Sequence, residues 1–486
     1  MVLFVHFMCL SEQMKTLEKI KLFVVCTALS YACNFQYGFS SVYLNTPVEA
    51  FKEYLNESFI RRNWTFTEPT YNWMWNLISN IWFVGFFFGV WLSPLLNDRY
   101  GRKVGFISMN IVSLLASIAR YIGIQFYIPE LFFAGRVLVS IATAVTYQAN
   151  ILYLQECAPT KVRGILSFLS AISFATICLL GMSLGTDSAF GHHVNFLLGF
   201  AIPPCALSVI VLFFIPETPK FLFIVKSDKE AAIKSIRYFH GAGADVTSIL
   251  NDFAMENEKS SEEKSSLKEI FSTPYLRKAV LLSCLTLQNT TALWSILLSS
   301  TTFLEHVDLE PSIAEWSSTA MALCYAIGTI CGAFCIDRFG RRKMIISLAT
   351  VNTSTLIFYC LLYGIHPYVS WAKYGCMLCL VAYGHTYGYV GPISWFISSE
   401  LVPQRHRTLV QSVCYAVNTI MVVITTFTIL PLYNVINAYA FLPLFIIPSI
   451  IALTILFIYL PETKSREIHD IVNELKGNRK QSCVEY

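Results

Sequence analysis

Charge is scarce in this chain. Only 14% of its 486 residues are Asp, Glu, Lys or Arg, against 55% hydrophobic, whereas soluble domains carry roughly 25% charged residues. So few charges cannot cover a globular surface of that size, so lipid must form part of its solvent. The net charge of +4 is too small to indicate a nucleic-acid partner. Acids are scarcer still where the chain is apolar: the middle thirds of its apolar segments hold no Asp or Glu. They also hold no paired acids, metal cluster or nucleophile–base pair. That argues against an enzyme and calls for no cofactor and no metal. Cysteine is plentiful at 15 residues, but Cys178, Cys284, Cys331, Cys335, Cys376 and Cys379 sit inside apolar runs. They read as small packing residues, not as a secreted disulfide framework. Met1 to Leu10 is apolar but too short to span, and it has no basic flank, so no signal peptide is expected; Met14 is an alternative start.

A bilayer crossing needs about 20 mostly apolar residues. Twelve segments qualify: 22–43, 75–96, 104–124, 132–153, 165–185, 195–215, 279–304, 316–336, 344–364, 372–397, 408–430 and 438–460. Hydrocarbon leaves no partner for an unbonded backbone group, so these are expected as helices of an all-α membrane protein. They divide into six-helix bundles over 22–215 and 279–460. A terminus over 1–21, a linker over 216–278 with short helices and a tail over 461–486 complete the chain.

Placing both termini in the cytosol puts 29 of the 35 basic residues on one face. That asymmetry sets the orientation. The opposite face has one long loop, 44–74, whose Asn56-Glu57-Ser58 and Asn63-Trp64-Thr65 are acceptor sequons for glycosylation. The expected location is the plasma membrane. The lipid bilayer and a small solute are the expected partners, with no obligatory protein partner.

A doubled set of charged motifs lies between the apolar segments. Asp98-Arg99-Tyr100-Gly101-Arg102-Lys103 returns as Asp337-Arg338-Phe339-Gly340-Arg341-Arg342, Glu156 with Arg163 returns as Glu400 with Arg407, and Pro216-Glu217-Thr218 returns as Pro461-Glu462-Thr463. The near-constant offset means one unit used twice, the pattern of a transporter. Solvated loop charges that only set topology are the plain alternative. The functional alternative is a cytosolic gate, in which acid–Arg pairs within and between halves hold the inner side shut. Each half-exposed pair is worth only ~0–1 kcal/mol, so the network would matter more than any one pair.

These doubled motifs, Gly135-Arg136, Pro216-Glu217-Thr218-Pro219-Lys220 and Pro461-Glu462-Thr463-Lys464 resemble the sugar-porter family of the major facilitator superfamily, and in particular the facilitative hexose transporters of animals. The resemblance runs from about Lys21 to Lys464. It implies two pseudo-symmetric six-helix bundles, a small cytosolic helical domain, and alternating access to a midplane site.

Polar groups deep in a span mark the pathway by default. The seventh segment carries Gln288, Asn289, Thr290 and Thr291. Gln288 and Asn289 match the amides that bind sugar hydroxyls in the family; packing between helices is the alternative. The tenth carries His385, Tyr387 and Gly391-Pro392, expected to break the helix, followed by Trp395, which matches the Trp that stacks on the sugar. Asn418 matches a site amide. Tyr147, Gln148, Asn150 and Gln36 are further polar candidates that core packing explains nearly as well.

Departures from the family pattern accompany these matches. The helix-five Gln falls at Ala171, the helix-seven Asn at Trp294, the helix-eight Asn at Tyr325, the helix-ten Glu at Tyr387 and the helix-eleven Trp at Thr419. Each missing hydrogen-bond partner costs a polar ligand ~1–3 kcal/mol. Fructose, a polyol or urate is therefore weighed beside glucose. The proton-coupled relatives use a helix-one Asp that falls here at Ser40, which leaves His385 as the remaining candidate for coupling. The expectation is an uncoupled facilitative transporter of a small polar solute, in the first place a hexose. The alternative is a non-transporting sugar sensor.

Overall fold

The computed structural model describes residues 15–64, 67–158, 163–261, 266–464, 466 and 468–476. Within them the chain is helical and contains no strand. All twelve expected segments fall on helix, and the spans are numbered here in chain order. Spans one to five are Thr16–Val42, Glu68–Tyr100, Arg102–Gln125, Pro129–Cys157 and Arg163–Leu184. The sixth is made of Val194–Phe200 and Ile202–Phe213. Span seven is also in two pieces, Pro274–Thr286 and Gln288–Glu305. Spans eight to eleven are Pro311–Phe339, Arg341–Ile365, Ala372–Glu400 and Gln404–Ile436. The twelfth opens as a 3-10 turn, Asn437–Ala440, and a π turn, Leu442–Ile446, before Ile447–Tyr459. Pro443 and Pro448 lack backbone donors, which fits the wider π turn.

Nine of the described helices are long and apolar enough to cross a membrane. The fifth qualifies only as a shorter apolar helix, Phe168–Leu184, and the first and tenth fall short because they carry polar side chains and glycine, which the protein interior shelters from lipid. Asn34 shows how. Its amide donates to the Ser170 carbonyl at 2.8 Å and to Ser173 Oγ at 2.8 Å, which ties span one to span five.

The repeated turns join spans two and three, and spans eight and nine. Gly101 has φ +105° and Gly340 φ +88°, a backbone region closed to most side chains. A second constraint lies beside each. A Cβ on Gly101 would sit 2.3 Å from Glu217 Oε2, and one on Gly340 2.7 Å from Glu462 Oε2. Both carboxylates are needed there. Glu217 accepts from the Lys103 amide at 2.9 Å, and Glu462 from the Arg341 and Arg342 amides at 2.9 and 3.1 Å. Each therefore supplies negative charge to the open N-terminus of a long helix. The Pro-Glu-Thr and Gly-Arg motifs recur together because they meet in space.

The short helices Pro219–Ile224, Lys229–His240, Val246–Ser261 and Leu267–Ser272 follow the first bundle. The stretch from Pro216 through the second of them is fastened to it, whereas Leu267–Ser272 packs on the second half, where Glu269 lies 3.8 Å from His406. Ser235 Oγ donates to the Glu217 carbonyl at 2.7 Å, Tyr153 to the Pro216 carbonyl, and the Ala242 amide to Glu18 Oε1 at 3.0 Å. That amide holds the Glu18 carboxyl below its ordinary pKa.

One expectation fails. The tenth span is not broken at Gly391-Pro392; it runs unbroken through Pro392 from Ala372 to Glu400. Proline removes one donor, and tight packing against the eighth span keeps the helix in register: a Cβ on Gly388 would meet the Tyr325 carbonyl at 2.5 Å. The break falls instead at Leu287, between the two pieces of span seven. There the Thr290 amide donates to the Leu287 carbonyl at 2.9 Å, a bond of 3-10 spacing.

Candidate functional site

The two halves meet around a central cavity of about 60 Å³. Spans one, four and five line it from the first half, and spans seven, eight, ten and eleven from the second. Its wall is aromatic: Tyr37, Tyr147, Phe168, Phe174, Trp294, Tyr325, Tyr387, Trp395, Phe396 and Tyr415 all face it. Gln155, Ser170 and Gln411 add polar groups. Gln155 and Gln411 stand near the span ends that carry the repeated basic motifs, so the cavity reaches from mid-span toward that basic end. Acids, Lys, Arg and His are absent from the lining among the described residues.

At the other end the halves are bonded to each other. Asn45 Nδ2 donates to Ser300 Oγ at 2.9 Å, Asn76 Nδ2 to the Phe427 carbonyl at 3.1 Å, and Asn80 Nδ2 to the Thr426 carbonyl at 3.2 Å. The Asp187 amide donates to Glu315 Oε2 at 3.1 Å. Trp294 sits below this seal. It leaves the second half and packs among Phe83, Phe174 and Tyr37 of the first, with ring centroids at 5.2, 5.8 and 6.0 Å.

The candidate solute residues are distributed unevenly. Tyr387 and Trp395 line the cavity. Trp395 is wedged between Tyr415 at 4.8 Å and Tyr147 at 6.3 Å. Asn418 lines a smaller adjoining space with Trp294, Trp395 and Thr419, and its Oδ1 accepts from Thr290 Oγ1 at 2.7 Å. Gln288, Asn289 and Gln148 are not among the lining residues. Gln288 Nε2 and Gln148 Nε2 are buried without a hydrogen-bond partner. Asn289 is buried, and its carbonyl accepts from Tyr383 at 3.1 Å. Of the other polar candidates, Tyr147 faces the cavity, Asn150 bonds Ser170 at 3.0 Å, and Gln36 bonds Ser117 at 2.9 Å. His385 lies between spans eight and ten, with Nδ1 3.1 Å from the Cys324 carbonyl.

Sequence reasoning passed over Tyr37, Phe168, Phe174, Phe396, Gln155, Gln411 and Tyr415. A usable signal was present. Ala171, Trp294, Tyr325 and Tyr387, noted as departures from the family pattern, all line the cavity. Three of these four positions, Trp294, Tyr325 and Tyr387, carry rings.

The charged motifs form two matching clusters at the basic end. Arg102 pairs with Glu156 at 2.8 Å and with Asp98 at 3.6 Å, and Thr218 Oγ1 donates to Glu156 at 2.6 Å. In the second half Arg341 lies 3.5 Å from Glu400, and Thr463 Oγ1 donates to Glu400 at 2.5 Å. Each of these pairs joins residues of one half. Arg99 and Arg338 are exposed, and each lies over its neighbouring ring, Tyr100 or Phe339. Arg407 is half-buried. The side chains of Arg163 and Asp337 lie outside the described residues. Burial raises the Glu217 carboxyl above its usual range, against the pull of the Thr218 and Lys103 amides.

Asn56 is exposed on the helix Val48–Ile60, and Asn63 is exposed in the turn after it. Thr65 of the second sequon lies outside the described residues.

The family profile described as "Sugar (and other) transporter" matches residues 25–475. Mouse "Solute carrier family 2, facilitated glucose transporter member 7" is 25% identical over 460 residues, covering 92% of this chain and 89% of its own. Human "Solute carrier family 2, facilitated glucose transporter member 11" is 25% identical over 476 residues, covering 94% and 93%. Among solved structures, the proton:xylose symporter XylE bound to 6-bromo-6-deoxy-D-glucose superposes with a TM-score of 0.77 over 93% of this chain and 99% of its own. Its identity is 16%. An inward-open form of XylE from E. coli gives 0.73 at 17% identity, over 93% and 99%. At these identities the structural matches establish the fold alone.

Proposed function

This chain belongs to the sugar transporter family, a multi-pass membrane protein of the major facilitator fold, and on that footing we propose that it is an uncoupled facilitative carrier working by alternating access. The observation that carries the proposal is the cavity shared by both halves, sealed by Trp294 and the Asn45–Ser300 contact at one end and reaching toward the basic end at the other. With the basic end assigned to the cytosol, this is an inward-facing state. The basic clusters are then a gate at rest: pairs within each half are made, and contacts between halves belong to the opposite state. The plasma membrane is the proposed location, and the exposed Asn56 and Asn63 are the proposed glycosylation sites.

The proposed cargo is a hexose held mainly by its C–H faces against Trp395, Tyr387 and Tyr147, with Asn418 and the amides Gln288, Asn289 and Gln148 engaged as the halves move. A second reading has a specific observation behind it. Ten rings around a cavity whose polar groups are few favour a flatter solute, such as urate, over a polyhydroxylated ring. Absence of acid and His from the lining supports uncoupled transport.

The test is uptake of radiolabelled glucose, fructose, a polyol and urate into liposomes, with and without a pH gradient. Uptake of one of them is expected to follow its own gradient, to ignore the pH gradient, and to persist in His385→Ala. Acceleration by an inward proton gradient, lost in His385→Ala, would refute uncoupled transport. Binding of a solute without any flux would make the protein a sensor.

A further inference from the structure

Two arginines lie side by side inside the first bundle with no acid bonded to them among the described residues. Arg120, on span three, and Arg136, on span four, are both 0% exposed. Arg120 donates to Ser40 Oγ at 2.9 Å, Ser117 Oγ at 3.0 Å and Gln36 Oε1 at 3.1 Å. Arg136 donates to the Tyr43 hydroxyl at 3.1 Å and the Ser40 carbonyl at 3.3 Å. All these acceptors are neutral. Glu130, the acid that opens span four, is held by Arg62. Arg120 Nε, Arg136 Nε and Arg136 Nη2 are buried with no partner.

The two groups share a location. Both bond to Ser40, and their guanidinium carbons lie 5.8 and 5.5 Å from the Tyr43 ring. Gly135 makes the approach possible, since a Cβ there would meet Arg120 Cγ at 2.6 Å. Water is shut out above by the loop helix Val48–Ile60, whose fully buried Phe51 packs on Tyr43 and Phe132 at 6.1 and 5.8 Å. Two like charges withdrawn from water, with N–H groups left open, require a counter-charge. Arginine cannot shed its proton to relieve the cost.

We propose that Arg120 and Arg136 hold a resident monovalent inorganic anion of chloride size, within the first bundle and apart from the solute cavity. The unbonded Nε of Arg120 and the Nε and Nη2 of Arg136 supply its donors. The anion stabilises the first bundle and does not travel with the cargo. The site does not depend on which solute is carried, so its test reads binding rather than uptake.

The purified full chain would be melted in detergent in sodium chloride and in sodium gluconate at equal ionic strength. Chloride is expected to raise the midpoint saturably, and at ten times its dissociation constant to favour the folded form about 11-fold. Arg120→Met is expected to abolish the response. Because that variant could fail to fold, Ser40→Asp provides a second arm. It sets a carboxylate beside both guanidiniums and is expected to fold without halide and to melt identically in the two salts. Identical melting of the unaltered protein in the two salts would overturn the proposal, as would a chloride response that survives Ser40→Asp. Uptake driven by an imposed chloride gradient would overturn the resident character of the ion.

Discussion

Replacing Trp294 by alanine should move the protein out of the state described here. Trp294 is buried and crosses from the second half into the first, where it touches three rings: Phe83 edge-on at 5.2 Å, Phe174 at 5.8 Å and Tyr37 at 6.0 Å. Each aromatic pair is worth ~0.5–1.5 kcal/mol beyond its buried area. All three partners belong to the other half, so separation of the halves at this end forfeits all three contacts. Taking the low end, the loss is ~1.5 kcal/mol, or about 13-fold in the ratio of sealed to open states. In the reporter background described next, the cross-half hydrogen bonds made by Asn76, Asn80 and the Asp187 amide remain, so the variant should still fold and still close. The assay is cysteine accessibility. A single reporter cysteine at Ser300 is labelled in intact cells with a membrane-impermeant reagent, with and without the Trp294 change. Labelling should rise by at least tenfold in rate. An unchanged rate would refute the assignment of Trp294 as a seal between the halves.

Two further outcomes follow from the turns at the basic end. Gly101→Ala forces a side chain to φ +105° beside Glu217 and should destabilise the protein by at least ~1–2 kcal/mol from backbone strain alone. The double variant Gly101→Ala/Glu217→Ala removes the clash, keeps the strain and loses the cap, so in melting its cost should be less than the sum of the two single changes. Glu217 also carries a pH signature. Its carboxyl is raised by burial, so the folded chain holds that proton more tightly than the unfolded chain does. This contribution favours folding below the ordinary carboxylate range and fades as pH rises through the raised value. Glu217→Gln, which keeps one of the two acceptor oxygens, should flatten the fall in stability as pH rises above the ordinary carboxylate range; melting midpoints across a pH series would check it.

The twelve spans were legible because hydrocarbon admits few alternatives: an apolar run of sufficient length between basic turns has little choice but to become a helix. The duplicated motifs were legible because each is a local device, a glycine that permits the turn and charges that hold it at the interface. The errors arose where packing overrides a local preference. Gly391-Pro392 looks like a break, yet the eighth span presses the tenth into one helix. Leu287 shows no break in its own identity, and the interruption there appears only in the folded backbone.

The candidate site was half legible. Tyr387 and Trp395 lie where expected, while Gln288, Asn289 and Gln148 lie outside the cavity lining in this state. Whether an amide on a helix faces a cavity or a neighbouring helix depends on the rotation of that helix and on the state of the halves, and neither is encoded in the residue itself.

Composition, span spacing and doubled motifs therefore determine by themselves that this is a two-bundle membrane carrier, because solvent and symmetry act on every residue alike. Tertiary structure alone decides that aromatic rings wall the central cavity, that Trp294 packs among rings of the opposite half, and that Arg120 meets Arg136. Those facts depend on which faces of distant helices come within a few ångströms of each other, a distance that no spacing along the chain specifies.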